Sequence, residues 1–176
     1  MAGTLTGEEA MWSALAMTFL AGRLNRLTPS GQSSFAPRLV RLADALQPGC
    51  LLKVGARRLP ISLLSPVNVV SADDTHWGIM ALMLLAKQIR EQEPMWAPIF
   101  YSVAATVRRN STVRIANLRR PISPVKSVVL ARDFWELVER SDIIKAELGV
   151  IGRRGGRRAV FDQPIRAHRR SWFHRA

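Results

Sequence analysis

The hydrophobic and polar positions of this chain follow a helical spacing in four stretches before residue 111. Apolar side chains recur three and four positions apart in residues 6–26, 35–46, 71–93 and 97–110, as they do in helices that bury one face. Within the third stretch, residues 79–86 are apolar all round. This pattern predicts four helices, with the third at the centre of the core.

Local start signals support these helices. Thr6 and Glu9 have the spacing of a capping box, and Ser71 or Asp73 stands where a cap of the third helix is needed. A proline occupies the first turn of the second helix and of the fourth, a position that tolerates its missing N–H group.

The stretch between the second and third helices has a different character. From Cys50 to Val70 it contains leucine and β-branched runs that are interrupted by Gly55, Pro60 and Pro66. The prolines exclude a central strand, so we expect a weak β-hairpin or an extended region here.

Beyond the fourth helix, the pattern predicts a short helix over 112–120, a longer one over 123–141 and a last short one over 141–151. The predicted fold is therefore mainly α, with about six helices and one weak β region. We expect one compact domain over residues 1–151 and a flexible, arginine-rich arm over residues 152–176.

Net charge sets the class of partner. The chain has 26 Lys and Arg residues against 13 Asp and Glu residues, which gives a formal charge of +13. Such an excess indicates a polyanionic partner: nucleic acid, an anionic membrane surface or an RNA-rich assembly. Arginine greatly outnumbers lysine, and its guanidinium group can bind phosphate through two hydrogen bonds and stack on bases.

The arm over residues 152–176 contains eight arginines and one acidic residue, with aromatic side chains among them. Guanidinium groups neutralise phosphates and flat rings stack on unpaired bases, so this composition suits single-stranded nucleic acid. Two other interpretations stay open: a tail whose aromatic residues pack back on the domain, and a nuclear-localisation signal. The candidate binding residues of the arm are Arg153, Arg154, Arg157, Arg158, Arg166, Arg169, Arg170, Trp172, Phe173 and Arg175.

A second basic group lies inside the predicted domain. Residues 108–120 contain five arginines and no acidic residue, and the hydroxyls of Ser111 and Thr112 could add phosphate contacts. The alternative is that these arginines merely neutralise the carbonyl ends of helices. We expect them to fix the path of a bound strand while the arm supplies non-specific attraction; they are Arg108, Arg109, Arg114, Arg119 and Arg120.

No motif for a reaction, cofactor or metal ion is present. His76 follows Asp73 and Asp74 at a helix start, where capping explains the carboxylates better than catalysis does. The single cysteine, Cys50, can form neither an internal disulfide nor a multi-cysteine metal site. We expect a protein that is not an enzyme and binds no cofactor or metal ion. The amino terminus lacks a basic signal-peptide region and no apolar stretch is long enough to span a bilayer, so we expect an intracellular protein of cytoplasm, nucleus or virion.

These observations favour a structural RNA-binding protein that coats or packages single-stranded nucleic acid, as a coat or nucleocapsid protein does. Its expected partners are single-stranded RNA and further copies of itself or a larger assembly, and membrane contact stays open. One alternative is a subunit of a large ribonucleoprotein such as a ribosome. Another is a regulatory or accessory protein that acts through protein or membrane contacts.

Overall fold

The computed structural model describes residues 3–27, 30–55, 66–91, 94–119 and 136. This part of the chain is largely helical, with a small sheet. Its elements are β1 (Gly3–Leu5), α1 (Gly7–Leu27), α2 (Ala36–Ala45), β2 (Leu51–Val54), β3 (Val67–Val70), α3 (Ala72–Ile89), α4 (Trp96–Arg109) and β4 (Thr112–Ile115).

The four helices expected before residue 111 are confirmed, and side-chain hydrogen bonds cap the starts of α1 and α3. At α1, the N–H of Glu9 donates to Thr6 Oγ1 at 3.1 Å and the N–H of Thr6 donates to Glu9 Oε2 at 2.9 Å, which closes the predicted capping box. At α3, Ser71 Oγ accepts from the N–H of Asp74 at 3.0 Å. The expected cap is therefore Ser71 and not Asp73.

Of the two expectations for residues 50–70, the extended region agrees with the strands β2 and β3, and the β-hairpin is wrong. The expectation that the prolines exclude a central strand is also wrong, because Pro60 and Pro66 lie outside β2, which has a paired strand on either side. β2 and β3 pair in parallel, with Leu51 opposite Val67 and Val54 opposite Val70, whereas a hairpin requires antiparallel neighbours. The full sheet has the order β1-β4-β2-β3, in which β4 is parallel to β1 and antiparallel to β2.

The expected short helix over 112–120 is also wrong, because its first half is the strand β4. Thr112, Val113 and Ile115 are β-branched, and burial alternates along β4, which is the two-residue period of a strand with one buried face. Four helices, not about six, occur in the described ranges. The helices expected over 123–141 and 141–151 lie outside them, apart from Glu136, and so does the arm.

The helices pack on one face of the sheet. Leu52, Val113 and Ile115 point to this face and join the main hydrophobic core, and each is at most 1% exposed. Because side chains alternate between the faces of a sheet, Arg114 and Lys53 lie on the opposite face. Lys53 is buried there, whereas Arg114 is exposed.

α3 is the central helix, as its apolar composition predicts. It packs against both α4 and α2, and Leu82 and Leu85 are fully buried. At Gly78 the backbone of α3 approaches α2 so closely that an added Cβ would collide with the side chain of Leu42. None of the helices in the described ranges is long and apolar enough to cross a membrane.

Candidate functional site

A concavity of about 340 Å³ lies between the start of α3 and the end of α4. Its third side is Val54, the last residue of β2. Val54 is paired with Val70, the last residue of the parallel strand β3, and the chain continues from there into α3. The concavity therefore lies at the carboxyl ends of two parallel strands, which is where open α/β sheets commonly bind ligands.

The lining of this concavity combines a basic rim with an apolar interior. Among the lining residues, Arg108, Arg109 and His76 are exposed, while Val107 is buried and Ile79 is half-buried. Guanidinium groups offer several donors in a fixed fork that matches the oxygens of a phosphate or carboxylate. The rim is therefore suited to an anion, and the interior can take an apolar or aromatic group.

Hydrogen bonds at the α4–β4 junction fix the backbone that carries the two arginines. α4 ends at Asn110, whose backbone is extended and whose Nδ2 donates to the carbonyl oxygen of Thr106 at 2.8 Å. The N–H of Val54 donates to the carbonyl oxygen of Ser111 at 2.9 Å, which joins the start of β4 to the end of β2. Both arginines thus project from a helix end that is tied to the sheet.

The other wall is one face of α3. Ala72, His76 and Ile79 are four and then three residues apart, so they stand above one another on the same side of the helix. The first turn of this helix is held in place by the Ser71 cap and by the bond from the N–H of Thr75 to the carbonyl oxygen of Ser71 at 3.0 Å.

The two carboxylates of this helical turn are bound by arginines of α2. Arg41 binds Asp74 through two hydrogen bonds, from Nε at 2.7 Å and from Nη2 at 2.9 Å. Arg38 Nη1 binds Asp73 Oδ2 at 2.7 Å and lies 3.8 Å from Asp74 Oδ1. Successive residues of a helix are rotated by about 100° around its axis, so Asp74 lies on the opposite side of α3 from His76 and Ile79.

These ion pairs determine the electrostatics around the concavity. The hydrogen bonds from Arg41 lower the pKa of Asp74, although partial burial acts in the opposite direction. The carboxylate is therefore held in its charged form by α2, and its charge is compensated there. Among the residues that the structure describes, the lining of the concavity includes two arginines and a histidine and no carboxylate.

The structure separates the basic group that the sequence places together in residues 108–120. Arg108 and Arg109 share the concavity. Arg114 is exposed on the opposite face of the sheet, between Thr4 of β1 and Leu51 of β2. Arg119 is exposed beyond the other end of β4. Arg120 and every candidate residue of the arm lie outside the described residues.

Sequence reasoning missed the part that His76 plays in this site. It interpreted the segment around His76 only as a helix start, yet α3 carries this side chain to the arginines of α4, more than thirty residues along the chain. Ser111, which was expected as a phosphate contact, does line the concavity. The apolar residues Val54, Ile79 and Val107 gave no functional signal, because each also fits an ordinary core pattern.

Within the described ranges, no three His, Cys, Asp or Glu side chains come together in a group that could hold a metal ion. The comparisons with known proteins find no matching family model, no similar curated protein and no similar solved structure.

Proposed function

We propose that this chain is a non-enzymatic structural protein that binds single-stranded nucleic acid, RNA in particular, and coats or packages it. The observation that carries this proposal is the pair Arg108 and Arg109, exposed side by side in a concavity whose described lining residues include no carboxylate, on a chain of net charge +13. Phosphate contacts from such a rigid element position a nucleic acid without reading its sequence.

The two basic regions have different parts in this proposal. Arg108 and Arg109 belong to a helix that is tied to the sheet, so they hold a phosphate in a defined place. The eight arginines of residues 152–176 supply most of the long-range attraction, and their neighbouring aromatic residues stack on unpaired bases. Single strands are preferred because their bases are free to stack.

The first test measures the salt dependence of binding to a single-stranded RNA oligonucleotide. On single strands, each phosphate contact adds about 0.7 to the slope of log affinity against log salt. The double variant Arg108→Ala/Arg109→Ala is therefore expected to make the slope shallower by about 1.4. The matched control is Arg26→Ala/Arg90→Ala, which removes the same charge from exposed positions at the ends of α1 and α3.

Arg90 lies about 21 Å along the axis of α3 from His76, since each residue of a helix rises 1.5 Å. The control is therefore expected to lower affinity only slightly and to leave the slope unchanged. Equal slopes for the two double variants would mean that Arg108 and Arg109 contribute only net charge.

The second test distinguishes coating from the alternatives. Full-length protein is purified with and without nuclease, and its absorbance ratio at 260 and 280 nm and its particle size are measured. Co-purifying RNA in large, regular particles supports coating or packaging. RNA binding without regular particles favours a subunit of a larger ribonucleoprotein, and a nucleic-acid-free protein favours a regulatory or accessory role.

A further inference from the structure

We infer that the concavity between α3 and α4 seats one nucleotide of the bound strand, its phosphate on the arginine rim and its base or sugar against the apolar interior. This inference deepens the proposed function and rests on it. It assigns to one site a ligand class, the nucleoside monophosphate unit, that net charge alone does not define.

The first argument is the division of chemistry within the concavity. A site for a bare anion needs only donors, but here the lining also includes the apolar side chains of Val54, Ile79 and Val107, beside the buried hydroxyl of Thr75. A nucleotide has the matching division, because it joins a charged phosphate to a flat ring with an apolar face.

The second argument is size. The volume of about 340 Å³ falls at the lower end of the range for small-molecule sites, about 300–1,000 Å³. The concavity is open to solvent and has room for a nucleotide, which is larger than a phosphate group.

The third argument is the placement of the rim. His76 on α3 and Arg108 on α4 face the concavity from two different helices, so a base lying on the apolar interior has an imidazole and a guanidinium beside it. Both groups stack on nucleobases. Asp73 and Asp74 of α3 are bound to Arg38 and Arg41, which compensate their negative charges.

The test uses the full-length protein and three probes at one ionic strength: adenosine 5′-monophosphate, adenosine and inorganic phosphate. Binding is measured by calorimetry and by the backbone amide NMR signals of residues 72–79 and 107–111. We expect the monophosphate to shift both groups of signals and to bind at least tenfold more tightly than either part alone. The inference would be overturned if inorganic phosphate bound as tightly as adenosine 5′-monophosphate. It would also be overturned if the monophosphate shifted the amide NMR signals of other residues but not of these.

A variant that fills the concavity without changing charge separates this inference from the proposed function. Ile79→Trp is expected to weaken monophosphate binding at least tenfold, while binding of a long RNA persists through the arginines of residues 152–176. The matched control is Val69→Trp on β3, where the side chain is 58% exposed, and it is expected to bind the monophosphate normally. Unchanged monophosphate binding by Ile79→Trp would overturn the inference and leave the proposed function standing.

His76→Ala is the second variant, because an exposed side chain can be truncated even if Ile79→Trp fails to fold. We expect a three- to tenfold loss of monophosphate affinity and little change for inorganic phosphate. If His76→Ala lowered the affinities for the monophosphate and for inorganic phosphate equally, His76 would act on the phosphate and not on the base, and the proposed stacking would be overturned. Monophosphate binding at the concavity by a protein that binds no RNA would instead overturn the proposed function.

Discussion

The ion pair between Arg41 and Asp74 should be a measurable part of the stability of this protein, because it fixes the start of α3 against α2. Asp74 is the more buried partner: its side chain is 9% exposed, against 54% for Arg41. Replacing Arg41 with alanine leaves that carboxylate in place without its two hydrogen bonds at 2.7 and 2.9 Å.

The magnitude follows from these contacts. Hydrogen bonds to charged groups contribute about 1.5–3 kcal/mol, but the exposure of Arg41 lets water screen the pair. Arg38 also stays 3.8 Å from Asp74 and compensates part of the charge. We therefore expect Arg41→Ala to lower the free energy of unfolding by about 1–2 kcal/mol at pH 7. The control Arg26→Ala changes an exposed side chain at the end of α1 and should cost less than about 0.5 kcal/mol.

The pH dependence gives a second and sharper check. The hydrogen bonds from Arg41 lower the pKa of Asp74 in the folded protein, so the unfolded chain takes up a proton at a higher pH than the folded one. The stabilisation is therefore complete above the unfolded pKa of about 3.9 and is lost as the pH falls through the lower folded value. The difference between parent protein and Arg41→Ala should be constant from pH 5 to 7 and shrink below about pH 4.

The assay is urea unfolding followed by circular dichroism at several pH values, with the double-mutant cycle of Arg41→Ala and Asp74→Asn at pH 7. We expect a coupling energy of about 1–2 kcal/mol between the two positions. A coupling near zero, or a cost of Arg41→Ala that is the same at pH 3 as at pH 7, would refute the reasoning. The pair would then be a surface contact without consequence for stability.

Three further predictions concern the core, the arm and a buried hydroxyl. Gly78→Ala should destabilise the protein by up to about 2 kcal/mol, because overpacking against Leu42 costs about 1–3 kcal/mol and the gain in helix propensity is about 1 kcal/mol. Urea unfolding should show the change to be neutral or stabilising in a Leu42→Ala background, and an unchanged cost there would contradict the contact. Replacing the eight arginines of residues 152–176 with glutamine should make the slope of log RNA affinity against log salt shallower by about 4–6. An unaltered slope would mean that the main phosphate contacts are made by other residues. Thr75→Val should raise the free energy of unfolding by up to about 1 kcal/mol, because Thr75 Oγ1 is buried and has no hydrogen-bond partner among the residues that the structure describes. A loss of more than about 1 kcal/mol in the same assay would show that the hydroxyl is bonded in solution.

The sequence by itself determined the helices of the described ranges, because their start signals are local. The capping box of Thr6 and Glu9 and the cap at Ser71 involve groups three residues apart, so no knowledge of the tertiary structure is needed to identify them. The burial of Leu82 and Leu85 likewise follows from an apolar segment long enough to show its period. The net charge also needs only the composition, and the expectation of a polyanionic partner rests on it.

Only the tertiary structure decided the sheet and the site. Strands of three or four residues are too short to show a period, and β4 is stabilised by pairing with β1 and β2, which lie far away along the chain. The same long-range packing puts Arg114 on the far face of the sheet, although it is only five residues from Arg109. It also brings His76 beside Arg108, because α3 and α4 pack together in space. Proximity between side chains on different elements is a property of packing, and the order of residues along the chain does not encode it locally.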